Sequence, residues 1–375
     1  MIADRNADAA KSLASSLNGA VEWMALDISD SKALGKAVAQ ADLVMNAVGP
    51  YFRFGKSVLT ACIHGGKDYV DICDDWEPTL EMLSLCEEAR QAGITAIIGM
   101  GASPGISNML AVKAMEELDR ATEIYTGWDL ESATPDQIGA KPSAATVHGI
   151  HQLTGTIRAF ERGRHIDKRP IERLTLDYPG VGVASVWTIG HPEAVTLPGY
   201  FPDILSSSNV MTATRGSILG LKLIALLVDA KLVSVERAAS LAEKLKGAAD
   251  PDRTAAAMLS ALAASKRPSL PPLFALAKGE KNGQSATAAC MITSAPSGGM
   301  GGVTGVAMAV GVMLLGKMAS PKRGVFAPEG VFRPDDYFDI LGGLCSPARN
   351  GVDDIVLTTR SWEPGNLHQL LQKHL

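Results

Sequence analysis

The 375-residue sequence has no run of Lys or Arg longer than two and a formal charge of −5, so it lacks the basic face that nucleic-acid binding requires. Cysteine is sparse: the five, at 62, 73, 86, 290 and 345, are odd in number and irregularly spaced. That argues for reduced thiols in a cytoplasmic protein rather than a disulfide framework. Cys62, His64, Cys73 and Cys86 have no zinc-ligand spacing, and no metal is expected. No secretory signal is visible at the charged N-terminus. The longest apolar stretch, 303–316, is interrupted by Gly305 and Gly311. It falls short of the roughly 18 residues that suggest a membrane span and reads as a buried helix. Internal repeats and low-complexity tracts are absent. So is the dinucleotide fingerprint GxGxxG, because each G-x-G (99/101, 180/182, 299/301) lacks its third glycine.

What is present is a globular composition, 46% hydrophobic and 20% charged, with length enough for two domains. Strand-like and helical patterns alternate from the start. A strand tail ends at Asp4, a helix covers 7–17, and a strand at 21–26 ends at Asp27. Then come a helix at 31–41, a strand at 43–48, a helix at 55–64 and a strand at 69–72. A helix at 77–92 closed by Gly93 leads to a strand at 94–100. This order predicts an α/β, Rossmann-type doubly wound parallel sheet. Near residue 121 the rhythm changes to strands at 123–130, 174–178 and 183–189 around a helix at 144–162. Helices at 217–230, 235–246 and 252–265 follow. Asn282-Gly283 between the runs 272–281 and 284–294 predicts a hairpin. The expected division is a Rossmann-type domain at 1–118 and an α+β substrate and dimerisation domain at 119–300. A returning helical segment at 301–345 packs on the first domain, and a strand and tail occupy 346–375.

The richest stretch is LVMNAVGPYFRFGKSVLTACIHGGKDYVDICDDW, residues 43–76. Ligands of open α/β sheets bind beyond the carboxyl ends of the strands, so Asn46, Ala47, Val48, Gly49, Pro50 and Tyr51 should face a site. Asp71, Asp74 and Asp75 crowd together. Mutual repulsion should raise the pKa of any that are buried, which suits proton transfer or the holding of an ammonium group. One of Asp74 and Asp75 suits the cap of the next helix. Arg53 and Lys56 flank a helix start at 55–57 that would accept a carboxylate. His148 and His151 lie at i, i+3 on one helix and could line a cleft. Asp4 falls where a ribose-binding acid would stand, and Arg5 beside it leaves NAD and NADP both open. On this reading the first strand and its glycine turn lie upstream of Met1. Ser103 sits in a literal G-x-S-x-G, yet Pro104 has no N–H for an oxyanion hole. Ser103 is therefore expected to cap a helix or bond a ligand, with a serine hydrolase as the third reading.

The motifs GPYFRFGKSVLTACIHGGKDYVDICDDW, AGITAIIGMGASPGISNMLA and IGHPEAVTLPGYFP closely resemble the saccharopine dehydrogenase-like oxidoreductase family. With GVTGVAMAVGVMLLGKM and GVFAPEG, the similarity extends from Ile2 to about Leu344. The resemblance implies a Rossmann domain, an α+β domain inserted before a returning helix, and NAD(P)-linked oxidation or reduction at a carbon bearing an amine. Substrates of that family are amino-acid adducts such as saccharopine or carboxynorspermidine. By position, it assigns Asp4, Arg5 and Asp27 to the adenosine side, and Asn46, Ala47, Val48, Gly49 and Pro50 to the segment under the nicotinamide ribose. Tyr51, Asp74, Asp75 and Ser103 fall in the cleft. The resulting expectation is a cytoplasmic homodimer with Tyr51 and Asp74 as catalytic groups. Arg53, Asp75, Trp76, Ser103 and His151 would contact a small amino-acid-like substrate, with no nucleic acid or membrane partner. The alternative is a cofactor-free binding or assembly protein, because a strand absent between the one ending at Asp4 and 43–48 would open the sheet at its centre.

Overall fold

The computed structural model describes residues 1–132, 142–246, 255–264 and 269–374. Its first part follows the predicted alternation: β1 (Ile2–Asp4), α1 (Ala7–Ser16), β2 (Trp23–Ala25), α2 (Ser31–Val38) and β3 (Leu43–Asn46). Then come α3 (Tyr51–Gly65), β4 (Asp68–Asp71), α4 (Trp76–Leu83), α5 (Cys86–Gln91), β5 (Thr95–Ile97) and α6 (Ile106–Glu116). Local chemistry sets the helix ends. The side chain of Asn6 accepts from the backbone N–H of Asp8 and Ala9, and that of Asp30 from Lys32 and Ala33, so each satisfies donors the first turn would leave free. Two boundaries differ from expectation. The helix after β3 begins at Tyr51, directly behind Pro50, which places 55–57 in its interior. The helix expected over 77–92 is two helices, interrupted at Ser84 and Leu85.

All pairing in this part is parallel, yet it forms two sheets. One holds only β1 and β2; the other has the order β14-β5-β4-β3, where β14 (Gly324–Phe326) returns from late in the chain to pair with β5. Doubly wound order would place one further strand between β1 and β3. In the described residues each of those strands is paired on one side only, and Met45, in the middle of β3, is 46% exposed.

The second part is built on a mixed sheet. Its elements are β6 (Arg120–Asp129), α7 (Ala144–Gln152), β7 (Ile157–Glu161), β8 (Arg164–Lys168), β9 (Arg173–Tyr178), β10 (Gly182–Ile189) and α8 (Glu193–Tyr200). They continue with β11 (Ser206–Thr212), α9 (Arg215–Asp229), α10 (Val235–Lys246), α11 (Ala255–Ala264), β12 (Leu273–Lys281) and β13 (Gln284–Ile292). Strand order is β15-β13-β12-β6-β11-β10-β9, with β15 (Val356–Arg360) at one edge and the β7–β8 hairpin against β11. The helix expected over 144–162 stops at Gln152 and gives way to β7, with Gly155 at φ 62° in the turn between them. For the helix expected over 252–265, residues 252–254 and 265 lie outside the described residues. The hairpin at Asn282-Gly283 forms with both residues at positive φ, which a tight two-residue turn demands.

α6 is buried from Ile106 to Val112, with Ser107 and Asn108 bonded to the carboxylates of Glu193 and Glu329, and packs against β6, β12 and β13. It joins the two sheets in one core. α12 (Gly299–Lys317) is long and apolar enough to cross a membrane. Here it packs against α13 (Pro334–Gly343) and β4, with Met100 lying where a Gly311 side chain would stand. α14 (Val352–Ile355) precedes β15, and α15 (Leu367–His374) ends the described chain. All five cysteines are unpaired.

Candidate active site

The carboxyl ends of β3, β4 and β5 are tied together by buried polar groups. Asn46 donates from Nδ2 to the Tyr69 hydroxyl (2.9 Å), which donates to Asp71 Oδ2 (2.8 Å). Asp71 Oδ1 accepts from the backbone N–H of Cys73 and Gly99. Asp71 is fully buried, and burial outweighs these bonds and pushes its carboxyl up to about 6. Its place is structural, since it fixes where three strand ends stop. From that platform the chain turns through Ala47 and Val48, held by the Val48 N–H on Asn46 Oδ1, into the cis peptide Gly49-Pro50 and α3.

Asp74 and Asp75 follow β4 and meet α7 of the second part. His148 Nδ1 lies 2.9 Å from Asp74 Oδ1 and 3.0 Å from Asp75 Oδ2. One turn on, Gln152 Nε2 donates to the Asp74 carbonyl (2.9 Å) and to its Oδ2 (3.2 Å). Spacing of i, i+4 puts both side chains on one face of α7. Burial alone would lower the His148 pKa, but the two carboxylates prevail and raise it to about 10. Burial likewise acts to raise Asp74, and the hydrogen bond and charge of His148 hold it below the ordinary carboxylate value. The expectation that crowding would raise these acids fails for Asp74, because His148 sits beside it, and Asp71 is raised chiefly by burial, with the charge of Asp74 a minor addition. Asp75 stands at the N-cap position of α4 but makes no capping bond with its side chain; that carboxylate is turned to His148. His148 Nε2 is buried with no hydrogen-bond partner and faces the turn after β3: a Cβ built on Gly49 would stand 3.4 Å from it.

A second buried cluster backs the first. Glu193, at the start of α8, is fully buried; its Oε1 accepts from Ser103 (2.6 Å) and Ser107 (2.5 Å). Its Oε2 lies 3.0 Å from His191 Nδ1 and accepts from Asn209 Nδ2 (3.0 Å). Burial opposes ionisation of both Glu193 and His191, and their mutual attraction outweighs it, lowering the acid and raising the base. Asp74 and Asp75 also act on His191 through their charge, so the two clusters share one field.

Several sequence expectations change on this geometry. The Tyr51 hydroxyl is buried and donates to the Asn46 carbonyl (2.7 Å), and burial moves its pKa far above the ordinary phenol value. Proton exchange at neutral pH does not suit it. His151 is exposed and stacks edge-on against Phe52 at 5.1 Å, leaving His148 as the histidine that meets the carboxylates. Ser103 does not cap α6, whose N-cap is Gly105. Its hydroxyl bonds a carboxylate and no imidazole, which is not the arrangement of a serine nucleophile. Trp76 packs under the Arg158 guanidinium at 4.8 Å, in an open groove of about 440 Å³ shared with Phe52 and Pro78. His148 was a cleft candidate from its spacing with His151; Arg158, His191 and Glu193 were missed, because Arg158 meets Trp76 and Glu193 meets Ser103 and Ser107 from far along the chain.

At the ends of β1 and β2, Asp4 and Asp27 are exposed. Asp4 accepts from the Asn6 N–H, and Asp27 from Ser29 through both N–H and hydroxyl. The Ser29 bonds, chiefly, and then the charges of Arg5 and Arg53 lower the Asp27 carboxyl. Arg53 thus belongs to the β1–β2 end of the cleft along with Arg5.

Parallel strands ending in a polar cleft, closed by an α+β unit, define a Rossmann-type fold. Residues 1–97 match the saccharopine dehydrogenase NADP-binding domain family. The saccharopine dehydrogenase [NADP(+), L-glutamate-forming] of Schizosaccharomyces pombe is 35% identical over 98 residues, covering 26% of this chain and 21% of that one. The saccharopine dehydrogenase-like oxidoreductase of Mus musculus is 38% identical over 89 residues, 23% and 20% of the two chains. These matches thus span about a fifth of the length of the relatives. The apo L-Glu-forming saccharopine dehydrogenase of Saccharomyces cerevisiae superposes with a TM-score of 0.55 at 17% identity, over 96% of this chain and 93% of that one, and so shares the fold. The sequence match to this NADP-binding domain family thus covers the first 97 residues, and the likeness in fold extends over nearly the whole chain.

Proposed function

We propose that this protein is an NAD(P)-dependent oxidoreductase acting at the amine or imine carbon of a carboxylated, amino-acid-like substrate. The observation that carries the reading is His148, fixed between Asp74 and Asp75 with its free nitrogen facing the Gly49-Pro50 turn. A dinucleotide fits the residues at both ends of the cleft. Exposed Asp4 and Asp27 suit ribose hydroxyls, and Arg5 and Arg53, near enough to act on Asp27, suit phosphate oxygens. Ala47 to Pro50 would lie beside the nicotinamide end. The nicotinamide supplies or accepts the hydride.

The chain's own groups do the rest. Asp74 and Asp75 carry one negative charge beyond what His148 neutralises, so their edge attracts a substrate ammonium. His148 holds a proton at Nε2 beside the turn, in place to protonate the nitrogen of an imine as its carbon is reduced, and to take that proton back in the reverse direction. Gln152 fixes the Asp74 carboxylate, and Asp74 and Asp75 together fix the ring. Arg158, stacked on Trp76 at the groove, is the cation best placed for a substrate carboxylate. Mixing the protein with NADPH, 2-oxo acids and primary amino acids, and following loss of nicotinamide absorbance, tests this. Turnover that disappears in His148→Asn supports it, and turnover retained by that variant refutes the assignment of His148.

A second reading, a binding or assembly protein that uses no nucleotide, draws on the break between β1–β2 and β3–β4–β5. In the described residues no glycine turn lies between β1 and β3 to offer backbone donors to a pyrophosphate. Titration with NADPH and NADH separates the two readings.

A further inference from the structure

α7, the helix that carries His148, is gripped on the face turned away from the carboxylates. At about 100° per residue, Thr146, Val147 and Ile150 fall on one side of the helix, and His148 and Gln152 on the other. Val147 and Ile150 pack with Ala238 and Ala239 of α10 and with Ile224 and Val228 of α9. Apolar contacts have no direction, so they hold these helices together without fixing how far α7 sits along its own axis. Hydrogen bonds fix that.

Glu243 of α10 supplies them. It is 3% exposed, and its Oε1 accepts from the Ser143 N–H at 2.8 Å, the Ser143 hydroxyl at 2.7 Å and the Thr146 hydroxyl at 2.7 Å. Ser143 is the N-cap of α7 and takes the Thr146 N–H on its own hydroxyl, so one carboxylate oxygen ties the first turn of α7 to α10. Burial opposes the charge of Glu243, and the bonds from Thr146 and Ser143 outweigh burial and lower its pKa. The far end of α7 is held from the same pair of helices, by Asp229 Oδ1 accepting from the Gly155 N–H at 2.8 Å. Asp229 is exposed and shares that bond with water; Glu243 is buried. His148 depends on this register. Its Nδ1 meets Asp74 at 2.9 Å and Asp75 at 3.0 Å, and a slip of one residue's rise, about 1.5 Å, could not keep both contacts. We infer that Glu243 is a positioning residue for His148, holding α7 at the axial position where one imidazole meets both Asp74 and Asp75. Its consequence for turnover rests on the reading of His148 as the proton carrier; its consequence for the ring does not.

Nitrogen NMR of the histidine-labelled whole chain measures the ring directly, with His148 assigned by its absence in His148→Asn. The titratable groups against the ring are Asp74, Asp75 and the edge of Tyr51 at 6.3 Å, and the variants leave all three in place. Glu243→Ala should lower the His148 midpoint by about one pH unit, a tenfold loss of proton affinity, with circular dichroism unchanged. Glu243→Gln removes the charge but keeps an acceptor, and should hold the midpoint near the wild-type value. Thr146→Val deletes one donor and should give a smaller shift in the same direction, which keeps the test open should Glu243→Ala fail to fold. Gly93→Ala, strained at positive φ in the turn after α5, should leave the midpoint unmoved. An unmoved midpoint in folded Glu243→Ala or Thr146→Val, or a Glu243→Gln midpoint displaced as far as that of Glu243→Ala, would overturn the assignment. In turnover with NADPH, Glu243→Ala should lower kcat about tenfold or more and leave the KM for NADPH unchanged. A displaced midpoint with no turnover even in the wild type would uphold Glu243 and refute the proposed reaction.

Discussion

His148 Nδ1 stands 2.9 Å from Asp74 Oδ1, across the junction of the parallel sheet and the second unit. The pair predicts a pH dependence whose sign is fixed. His148 is raised from its ordinary 6.5 to about 10, so its stabilisation is full below about 6.5 and is lost as pH rises through 10. Asp74 is depressed, so its share is present above the ordinary carboxylate value of 3.8 and is lost as pH falls below it. Nitrogen NMR of labelled histidine should find His148 as an imidazolium at neutral pH. Asp74→Asn should lower its titration midpoint, and a neutral ring at pH 7 in the wild type would refute the arrangement.

Glu193 offers a test of the buried network. Its carboxylate is fully buried and bonded to Ser103, Ser107 and Asn209, with His191 alongside. Glu193→Ala should cost about 3–5 kcal/mol in urea unfolding, because the imidazole and three donors lose their acceptor together. A loss under about 1 kcal/mol would show that water replaces the carboxylate readily.

Gly105 precedes α6 at φ 122°, and a Cβ there would fall 2.0 Å from the Gly101 carbonyl oxygen. Gly105→Ala should therefore destabilise by at least about 3 kcal/mol. Gly93→Ala also demands positive φ, but a Cβ there meets nothing within 4 Å, so about 1 kcal/mol is expected. Comparable losses for the two would contradict the packing described around Ser103.

Sheet order predicts unequal hydrogen exchange. β4 is paired on both sides, whereas β1 and β3 are each paired on one. Amides of Tyr69 and Val70 should exchange slowest, and those of Ile2 to Asp4 orders of magnitude faster. Equal protection of β1 and β4 would mean that another segment covers the open edge of β1.

How far the sequence carried these conclusions varies with the range of the interaction. The alternation through residue 100, the turn after Asn46, the acidic group at 71–75 and the hairpin at Asn282-Gly283 are local patterns, and the first unit was legible from them. The β7–β8 hairpin was hidden because residues 144–152 set a helical period that seemed to run through Gly155. β11 was hidden because Ser206–Asn209 is a polar run, yet residues 207–209 are buried and Asn209 bonds Thr126 and Glu193. At the site, the carboxylates were evident and their partner was not. His148 is 74 residues from Asp74, and the i, i+3 pair with His151 marked a possible cleft face without saying which histidine turns inward. Tyr51 was legible as a strand-end residue, but no pattern says that its hydroxyl turns back to Asn46.

The most direct test of the central claim is titration of the purified chain with NADPH and NADH, followed by intrinsic nicotinamide fluorescence. Saturable binding in the micromolar range is expected, with NADPH weakened about tenfold or more when Arg5 and Arg53 are both replaced by alanine. Absence of saturable binding for either nucleotide, in protein shown by circular dichroism to be folded, would contradict the dinucleotide-dependent account and favour a role as a binding or assembly protein.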